Sequence, residues 1–276
     1  MVSRRFTLGG ELPVRRLGYG TAQLTGPGYW GPRGDARDAV AVLRRAVERG
    51  VTLVDTADNY GPSVAEELVA EALRPYPEDL LIATKGGVVR TGPGAWHVSG
   101  RPETLRAMCE ASLRRLRLDT IGLYQLHRLD PGVPMAEQLG ALDELRAEGK
   151  IRHLGLDTVT PEQLRTALES TDIAAVQNRY NLLDRASDPL LELCEARGIA
   201  FLPWFPLGNG SLTTGRVHAE IAARHGATPG QIALAWLLHR SPVLCPTPGT
   251  GSLAHLEENL DAAAVRLTDE DLRALG

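Results

Sequence analysis

PETLRAMCEASLRRLRLDTIGLYQLHRLDPGVPMAEQLGALDELRAEGKIRHLGL, residues 102–156, decides the fold. Pro102 to Leu116 has helical length and mixed polarity. Ile121 to His127 is a short apolar run of strand length, Pro134 to Glu148 is a second helix candidate stopped by Gly149, and Ile151 to Leu156 is apolar again. The hydrophobic period thus switches twice between helix and strand. Two neighbouring parallel strands need a crossover of a dozen or more residues, and a helix of this length supplies it.

The same alternation runs outward in both directions. Further strand candidates are Leu17 to Gly20, Thr52 to Asp55, Leu80 to Thr84, Ala174 to Gln177, Ala200 to Trp204 and Val243 to Pro246. Helix candidates are Ala36 to Arg49, Val64 to Leu73, Pro161 to Leu168, Pro189 to Arg197 and Leu253 to Ala263. Thr160-Pro161 with Glu162 marks a helix start, and Gly50, Gly149 and Gly198 mark helix ends. About eight strand–helix units in this length predict an α/β protein with a closed (β/α)8 barrel. A short hairpin from Thr7 to Leu12 precedes it, and an extra helix, Pro229 to His239, precedes the last strand as a decoration. A doubly wound dinucleotide fold would carry G-x-G-x-x-G after its first strand, and Gly18-Tyr19-Gly20-Thr21-Ala22-Gln23 fails at the last position. No linker or charge run divides the chain, so residues 1–276 are expected to form a single barrel domain.

Bulk composition narrows the function classes. With 43% hydrophobic and 23% charged residues the chain can bury a full core, and its net charge of −4 shows no basic nucleic-acid footprint. Three dispersed cysteines, Cys109, Cys194 and Cys245, argue against a disulfide framework and fit a reducing cytoplasm. No signal-like start or membrane-length apolar run is seen. A small-molecule partner is expected, with no nucleic acid, no membrane and a monomer.

Lysine is rare: Lys85 and Lys150 are the only two among 30 basic residues. Arginine stays protonated, whereas an ammonium can be tuned and can lower the pKa of an adjacent acid. Lys150, after a helix, reads as solvated. Lys85 closes the run Leu80 to Thr84, and barrels carry their chemistry at the C-terminal ends of strands. Asp55 and His127 also stand at strand ends, and Tyr60 follows closely in Asp55-Thr-Ala-Asp-Asn-Tyr60-Gly61. A tyrosine of ordinary pKa near ~10 is a poor acid at neutral pH until a neighbouring cation stabilises its phenolate. Lys85 can supply that field, Asp55 can hold Lys85, and His127 can donate to a substrate oxygen. Taken singly, Asp55 reads as a turn cap, Tyr60 as packing and His127 as structural; the combination describes a proton donor aimed at a carbonyl. The histidine spacings match no metal motif, and neither a nucleophile elbow nor a P-loop is present.

These residues resemble the aldo-keto reductases. The run Asp55 to Gly61, then Ala83-Thr84-Lys85 and Leu123 to His127, carries the resemblance. Leu17 to Thr21, His153 to Leu156, Val176 to Asn181, Trp204 to Leu207, Pro248-Gly249-Thr250 and His255 to Asn259 extend it over nearly the whole chain. The resemblance implies a nicotinamide-dependent carbonyl reductase on a (β/α)8 barrel, using NADP with NADPH favoured over NADH. Tyr60 would be the general acid, Asp55 and Lys85 would tune it, and His127 would orient the carbonyl. It implies Gln177 on the carboxamide, Trp204 stacked on the nicotinamide, and Leu207, Gly208, Ser211 and Leu212 near the pyrophosphate. Thr250, Ser252 and His255 would lie near the ribose phosphate and Glu258 and Asn259 toward adenine. Gly20, Thr21, Asp55, Asp157, Phe205, Pro206, Pro248 and Gly249 complete the cofactor set. Independently of the family, a helix starting at Ser252 presents free N–H groups to an anion.

Two departures from the family pattern stand out. Asp157-Thr158 replaces the Ser-Asn that many relatives use to hold the carboxamide, and aspartate accepts but does not donate. Ser252 and His255 stand where NADPH-preferring relatives often carry Lys or Arg. Tyr29, Trp30, Trp96, His97 and Arg128 fall in loops expected to shape the substrate pocket. The stretch from Leu17 to Pro32, with Arg74 to Asp79, is similar to a bacterial subgroup acting on pyridoxal, which suggests a flat heteroaromatic aldehyde. Two other readings exist. One is a redox-sensing regulatory protein that binds nucleotide on the same barrel, marked by a lost tetrad or an added segment. The other is a Schiff-base lyase, which needs an apolar, unpaired Lys85.

Overall fold

The computed structural model describes residues 4–213 and 216–276. An antiparallel hairpin of β1 (Arg5–Leu8) and β2 (Leu12–Arg15) turns through Gly9 and Gly10, both at positive φ. There follow β3 (Tyr19–Gly20), α1 (Ala36–Glu48), β4 (Leu53–Asp55), α2 (Val64–Leu73) and β5 (Leu81–Gly86). A second hairpin, β6 (Val88–Gly92) and β7 (Ala95–Val98), interrupts the alternation before α3 (Pro102–Leu116), β8 (Ile121–Leu126), α4 (Met135–Ala147) and β9 (Ile151–Asp157). Then come α5 (Pro161–Leu168), β10 (Ile173–Arg179), α6 (Asp188–Arg197), β11 (Ala200–Trp204), α7 (Arg216–His225), α8 (Pro229–Arg240), α9 (Leu253–Asp261) and α10 (Asp269–Leu275).

Seven strands form one parallel sheet in the order β11-β10-β9-β8-β5-β4-β3. The eighth position is filled by residues 243–249 without a regular strand. Leu244 bridges Phe201 and Gly249 bridges Gly20, both in parallel sense, and the Gly18 amide donates to the Pro246 carbonyl. The barrel therefore closes as expected, although Val243 to Pro246 is a bridged segment rather than a strand. Pro246 and Pro248 lack the N–H groups a full ladder requires. Glycine is needed at the seam, because a Cβ on Gly20 would lie 2.6 Å from the Thr247 carbonyl oxygen.

Helix ends follow their chemistry. Thr160 caps α5 and Thr228 caps α8 through reciprocal capping boxes, each with proline in the first turn. Gly50, Gly149 and Gly198 adopt positive φ beyond α1, α4 and α6, as the sequence predicts. Helix α8 is no decoration. Ile232, Leu234, Trp236 and Leu237 are buried in the main core, so α8 belongs to the outer layer, and α7, unexpected from sequence, accompanies it. The β1–β2 hairpin plugs the N-terminal end of the barrel, where Leu8 and Val14 join Leu53, Leu123, Ala200 and Leu202 in an interior cluster. All three cysteines are free and buried. Among the described residues no helix is long and apolar enough to cross a membrane.

Candidate active site

Alternation along the strands builds the site. Leu53 of β4, Leu81 and Ala83 of β5, Leu123 of β8, Ala175 of β10 and Leu202 of β11 all face the barrel interior. Side chains two residues on share that face. Asp55, Lys85, Gln125, Gln177 and Trp204 therefore form a polar layer directly above the apolar one, with Asp157 of β9 beside them. The intervening residues Val54, Ile82, Tyr124 and Leu126 pack outward against the helices.

In that layer Lys85 Nζ donates to Asp55 Oδ2 at 2.7 Å and to the Thr56 carbonyl at 2.9 Å, and lies 3.5 Å from the Tyr60 hydroxyl. Gln125 Nε2 donates to the other oxygen of Asp55 at 3.0 Å. Lys85 is fully buried. Burial alone would deprotonate it, but Asp55, with Tyr60 and Asp157, more than offsets that and raises its pKa above the ordinary lysine value. For Tyr60 burial dominates and raises the hydroxyl to about 12, while Lys85 opposes the rise. Before anything binds, Tyr60 is thus a protonated phenol over a permanent cation.

His127 is held neutral, its pKa driven well below the usual imidazole value by burial and then by Lys85, Arg128 and Arg90. Asn59 Nδ2 lies 3.3 Å from His127 Nδ1. An amide N–H2 only donates, so Nδ1 accepts and the proton sits on Nε2, which lines the cavity as a donor. The Tyr60 and His127 rings meet edge to face at 6.0 Å.

Asp157 is engaged by its own chain. Arg128 donates to Oδ1 at 2.5 Å and the Thr158 hydroxyl to the same atom at 2.7 Å, while Oδ2 lies 3.8 Å from His127 Nε2. Burial raises its carboxyl to about 6, against the lowering effect of Arg128 and Lys85. Arg128, expected at the substrate, is thus first an ion-pair partner of Asp157.

These groups open into a cavity of about 1090 Å3. Of the residues expected at the cofactor, Gly20, Asp55, Asp157, Gln177, Trp204, Phe205, Pro206, Leu207, Pro248, Gly249, Thr250, Ser252, His255, Glu258 and Asn259 line it. Others stand behind the wall. Thr21 is buried with its hydroxyl on Thr56, and Leu212 packs in the hydrophobic core. Gly208 opens a short 3-10 segment and is not part of the lining; the Ser211 side chain lies outside the described residues. Tyr29, Trp96 and Arg128 line the cavity, whereas Trp30 pairs its backbone with Gly61, is partly exposed and is not part of the lining. The hairpin β6–β7 adds Arg90, which the sequence reading missed. Its guanidinium lies 4.8 Å from the Tyr29 ring centre and donates to the Asn59 carbonyl at 3.0 Å, and Tyr29 in turn stacks on Tyr60 at 6.0 Å. Asn59 and Gln125 were also missed. Their signal was the period of two for Gln125, two residues before His127, and nothing local for Asn59.

At the far end of the cavity Ser252 caps α9, its hydroxyl accepting from the His255 amide. Ser252 and His255 bring the N-terminus of that helix to the cavity wall, the end of a helix that suits an anion.

A family model described as the aldo/keto reductase family matches residues 16–276. The chain belongs to the aldo/keto reductase family. An uncharacterized oxidoreductase of Schizosaccharomyces pombe is 44% identical over 262 residues, covering 95% of this chain and 85% of its own. Pyridoxine 4-dehydrogenase of Escherichia coli is 42% identical over 281 residues, covering 100% of this chain and 98% of its own. Among solved structures, an aldo-keto reductase from Klebsiella pneumoniae in complex with NADPH superposes with a TM-score of 0.85 at 29% identity, covering 100% of this chain and 94% of that one. The barrel fold and oxidoreductase class expected from the sequence hold for this family member.

Proposed function

We propose that this aldo/keto reductase reduces an aldehyde or ketone to an alcohol with NADPH, Tyr60 delivering the proton. The observation that carries the reading is Lys85 Nζ, placed within reach of both Asp55 Oδ2 and the Tyr60 hydroxyl at the cavity floor. The residues present fit the cofactor. Trp204 offers a flat ring at the wall and an indole N–H left without a partner, and the α9 amides offer a phosphate seat. Bound NADPH supplies the hydride. The substrate oxygen accepts from His127 Nε2–H and from the Tyr60 hydroxyl, and Tyr60 gives up its proton as charge develops on that oxygen. Lys85 stabilises the phenolate so formed, and Asp55 keeps Lys85 in place and charged.

The preference for NADPH draws on Arg33, which lines the cavity end near Ser252 and His255 and donates to the Gln23 carbonyl at 3.1 Å. A guanidinium there compensates for the cations absent at Ser252 and His255. The identity to pyridoxine 4-dehydrogenase supports pyridoxal as substrate, as does the aromatic pair Tyr29 and Trp96 on the wall. The regulatory reading loses support, because the four reactive groups converge. The Schiff-base reading fails because the Lys85 ammonium is paired and raised in pKa.

The test is cofactor binding by fluorescence, then turnover against an aldehyde panel including pyridoxal, in the unmodified protein and in Tyr60→Phe. Bound NADPH with turnover that falls at least about a hundredfold in the variant supports the reading. Binding without turnover of any carbonyl refutes it. Pyridoxal ranking below simple aromatic aldehydes removes the substrate assignment alone.

A further inference from the structure

A second cavity, of about 390 Å3, opens at the opposite end of the barrel. Its wall joins four segments distant in sequence: the β1–β2 hairpin, the end of α1 at Arg49-Gly50, the end of α8 at Leu238-His239, and residues 260–266. The hairpin leads into β3 and Arg49-Gly50 into β4, so the cavity lies at the N-terminal ends of these strands and faces away from the catalytic mouth.

Its charge is one-sided. Asp261 is the only acid among the lining residues, and it is already held by Arg49 Nη2 at 2.7 Å. Arg16 spends its guanidinium on the carbonyls of Leu238, Ser241 and Leu244, tying the end of α8 to the closing segment. Arg4, Arg15 and Arg266 also line the cavity, and among the described residues no carboxylate lies within ion-pair distance of any of the three. Arg15 is seated over Gly50, where a Cβ would lie 2.5 Å from its Nη1. Arg266 donates one nitrogen to the carbonyls of Ala263 and Val265 at 3.0 and 3.2 Å, leaving the rest of its fork open. In a chain of net charge −4, such a gathering of cations raises the electrostatic energy unless an anion joins it.

We propose that this cavity binds a small polyphosphate or phosphate ester, held by Arg4, Arg15 and Arg266. Guanidinium forks match phosphate oxygens two at a time, and the volume lies within the range of small-molecule sites. His239 stands on the same wall. Burial first, then Arg266 and Arg16, holds its pKa below the usual value, and a bound anion opposes the two arginines. Because its arginines come from segments that separate in the unfolded chain, the ligand binds the folded state alone and raises stability as its concentration exceeds its Kd.

Sodium pyrophosphate is the probe, titrated by calorimetry and thermal shift into the full chain, with sulfate and chloride controls at matched ionic strength. One site per chain is expected, with a rise in Tm at a fixed pH of 8, and carbonyl turnover unchanged in Arg15→Ala/Arg266→Ala. That double variant should weaken binding at least about tenfold, the loss expected when a charge-assisted contact is removed. Arg15→Lys/Arg266→Lys should fall between. Pyrophosphate can also enter the catalytic cavity; binding of unchanged strength in the double alanine variant places it there and overturns the proposal. Absence of saturable binding at millimolar pyrophosphate, or equal effects of sulfate and chloride, overturns it as well.

Discussion

Replacing Lys85 by Met separates the structural from the chemical role of the buried cation. Methionine fills much of the lysine volume but brings no charge. Asp55, 5% exposed, would keep the Gln125 amide on Oδ1 and lose the partner of Oδ2, and the Thr56 carbonyl would lose its donor. Removing one member of a buried ion pair costs about 3–5 kcal/mol, because the survivor keeps its charge without compensation. Lys85→Met should lower stability by that amount in urea unfolding at pH 7. Lys85→Met/Asp55→Asn removes both charges and should recover most of it. Activity should not recover, since Tyr60, already raised to about 12, loses the cation that opposes that rise. A loss of general-acid assistance of about 10²- to 10⁴-fold in kcat is expected for both variants. The pH dependence has a definite sign. The Lys85 pKa is raised on folding, so its stabilisation is complete below the unfolded value near ~10.4 and declines as pH climbs toward the folded one. Wild type should lose stability over that range faster than Lys85→Met. Equal stability of the single and double variants would refute the charged-pair account, and full activity in Lys85→Met would refute the role assigned to Tyr60.

Other consequences are open to direct measurement. The Asp157 carboxyl is raised to about 6, so the folded protein holds that proton more tightly than the unfolded chain. Wild-type stability should therefore fall relative to Asp157→Asn by about 2–3 kcal/mol between pH ~4 and 6, read from urea midpoints across that range. His127, held neutral by burial and nearby cations, should titrate well below the ordinary imidazole value of ~6.5 by proton NMR, compared against a His127→Gln spectrum; a midpoint at or above that value would contradict the structure. Arg128→Met should leave Asp157 buried beside His127 with only the Thr158 hydroxyl, costing about 3 kcal/mol in unfolding free energy. Gly20→Ala puts a Cβ 2.6 Å from the Thr247 carbonyl oxygen at the barrel seam, where backbone must move, and should cost more than 1–3 kcal/mol typical of overpacking, ~3 kcal/mol or above, by thermal unfolding.

What the sequence disclosed and what it withheld divide along a physical line. Asp55, Lys85 and His127 were legible because each ends a run whose period of two is set by a buried sheet, and barrel geometry sends such ends to one mouth. Helices were legible to within a residue where proline and capping residues fixed their starts, as at Pro102 and Pro161. The eighth strand was misread in kind, since apolar Val243 to Pro246 has strand composition but its prolines leave only bridges. Helix α8 was read as peripheral because it falls outside the strand–helix alternation, and only packing shows Trp236 stacked on Tyr180 in the core. Least legible were pairings between loops. Asp157 was seen as a residue that cannot donate to a carboxamide, which is correct chemistry, but the structure gives its carboxylate to Arg128. That contact spans 29 residues and joins the ends of adjacent strands β8 and β9, so it depends on their register and not on any local pattern. The ion pair also changes what the departure from the family pattern means. A lone buried aspartate would have to be protonated or solvated, whereas one bound by Arg128 and Thr158 keeps its charge near neutral pH and presents only Oδ2 to the cavity. An amide bound there would find an acceptor already shared with a guanidinium, whereas Gln177, also on the cavity wall, offers both a donor and an acceptor.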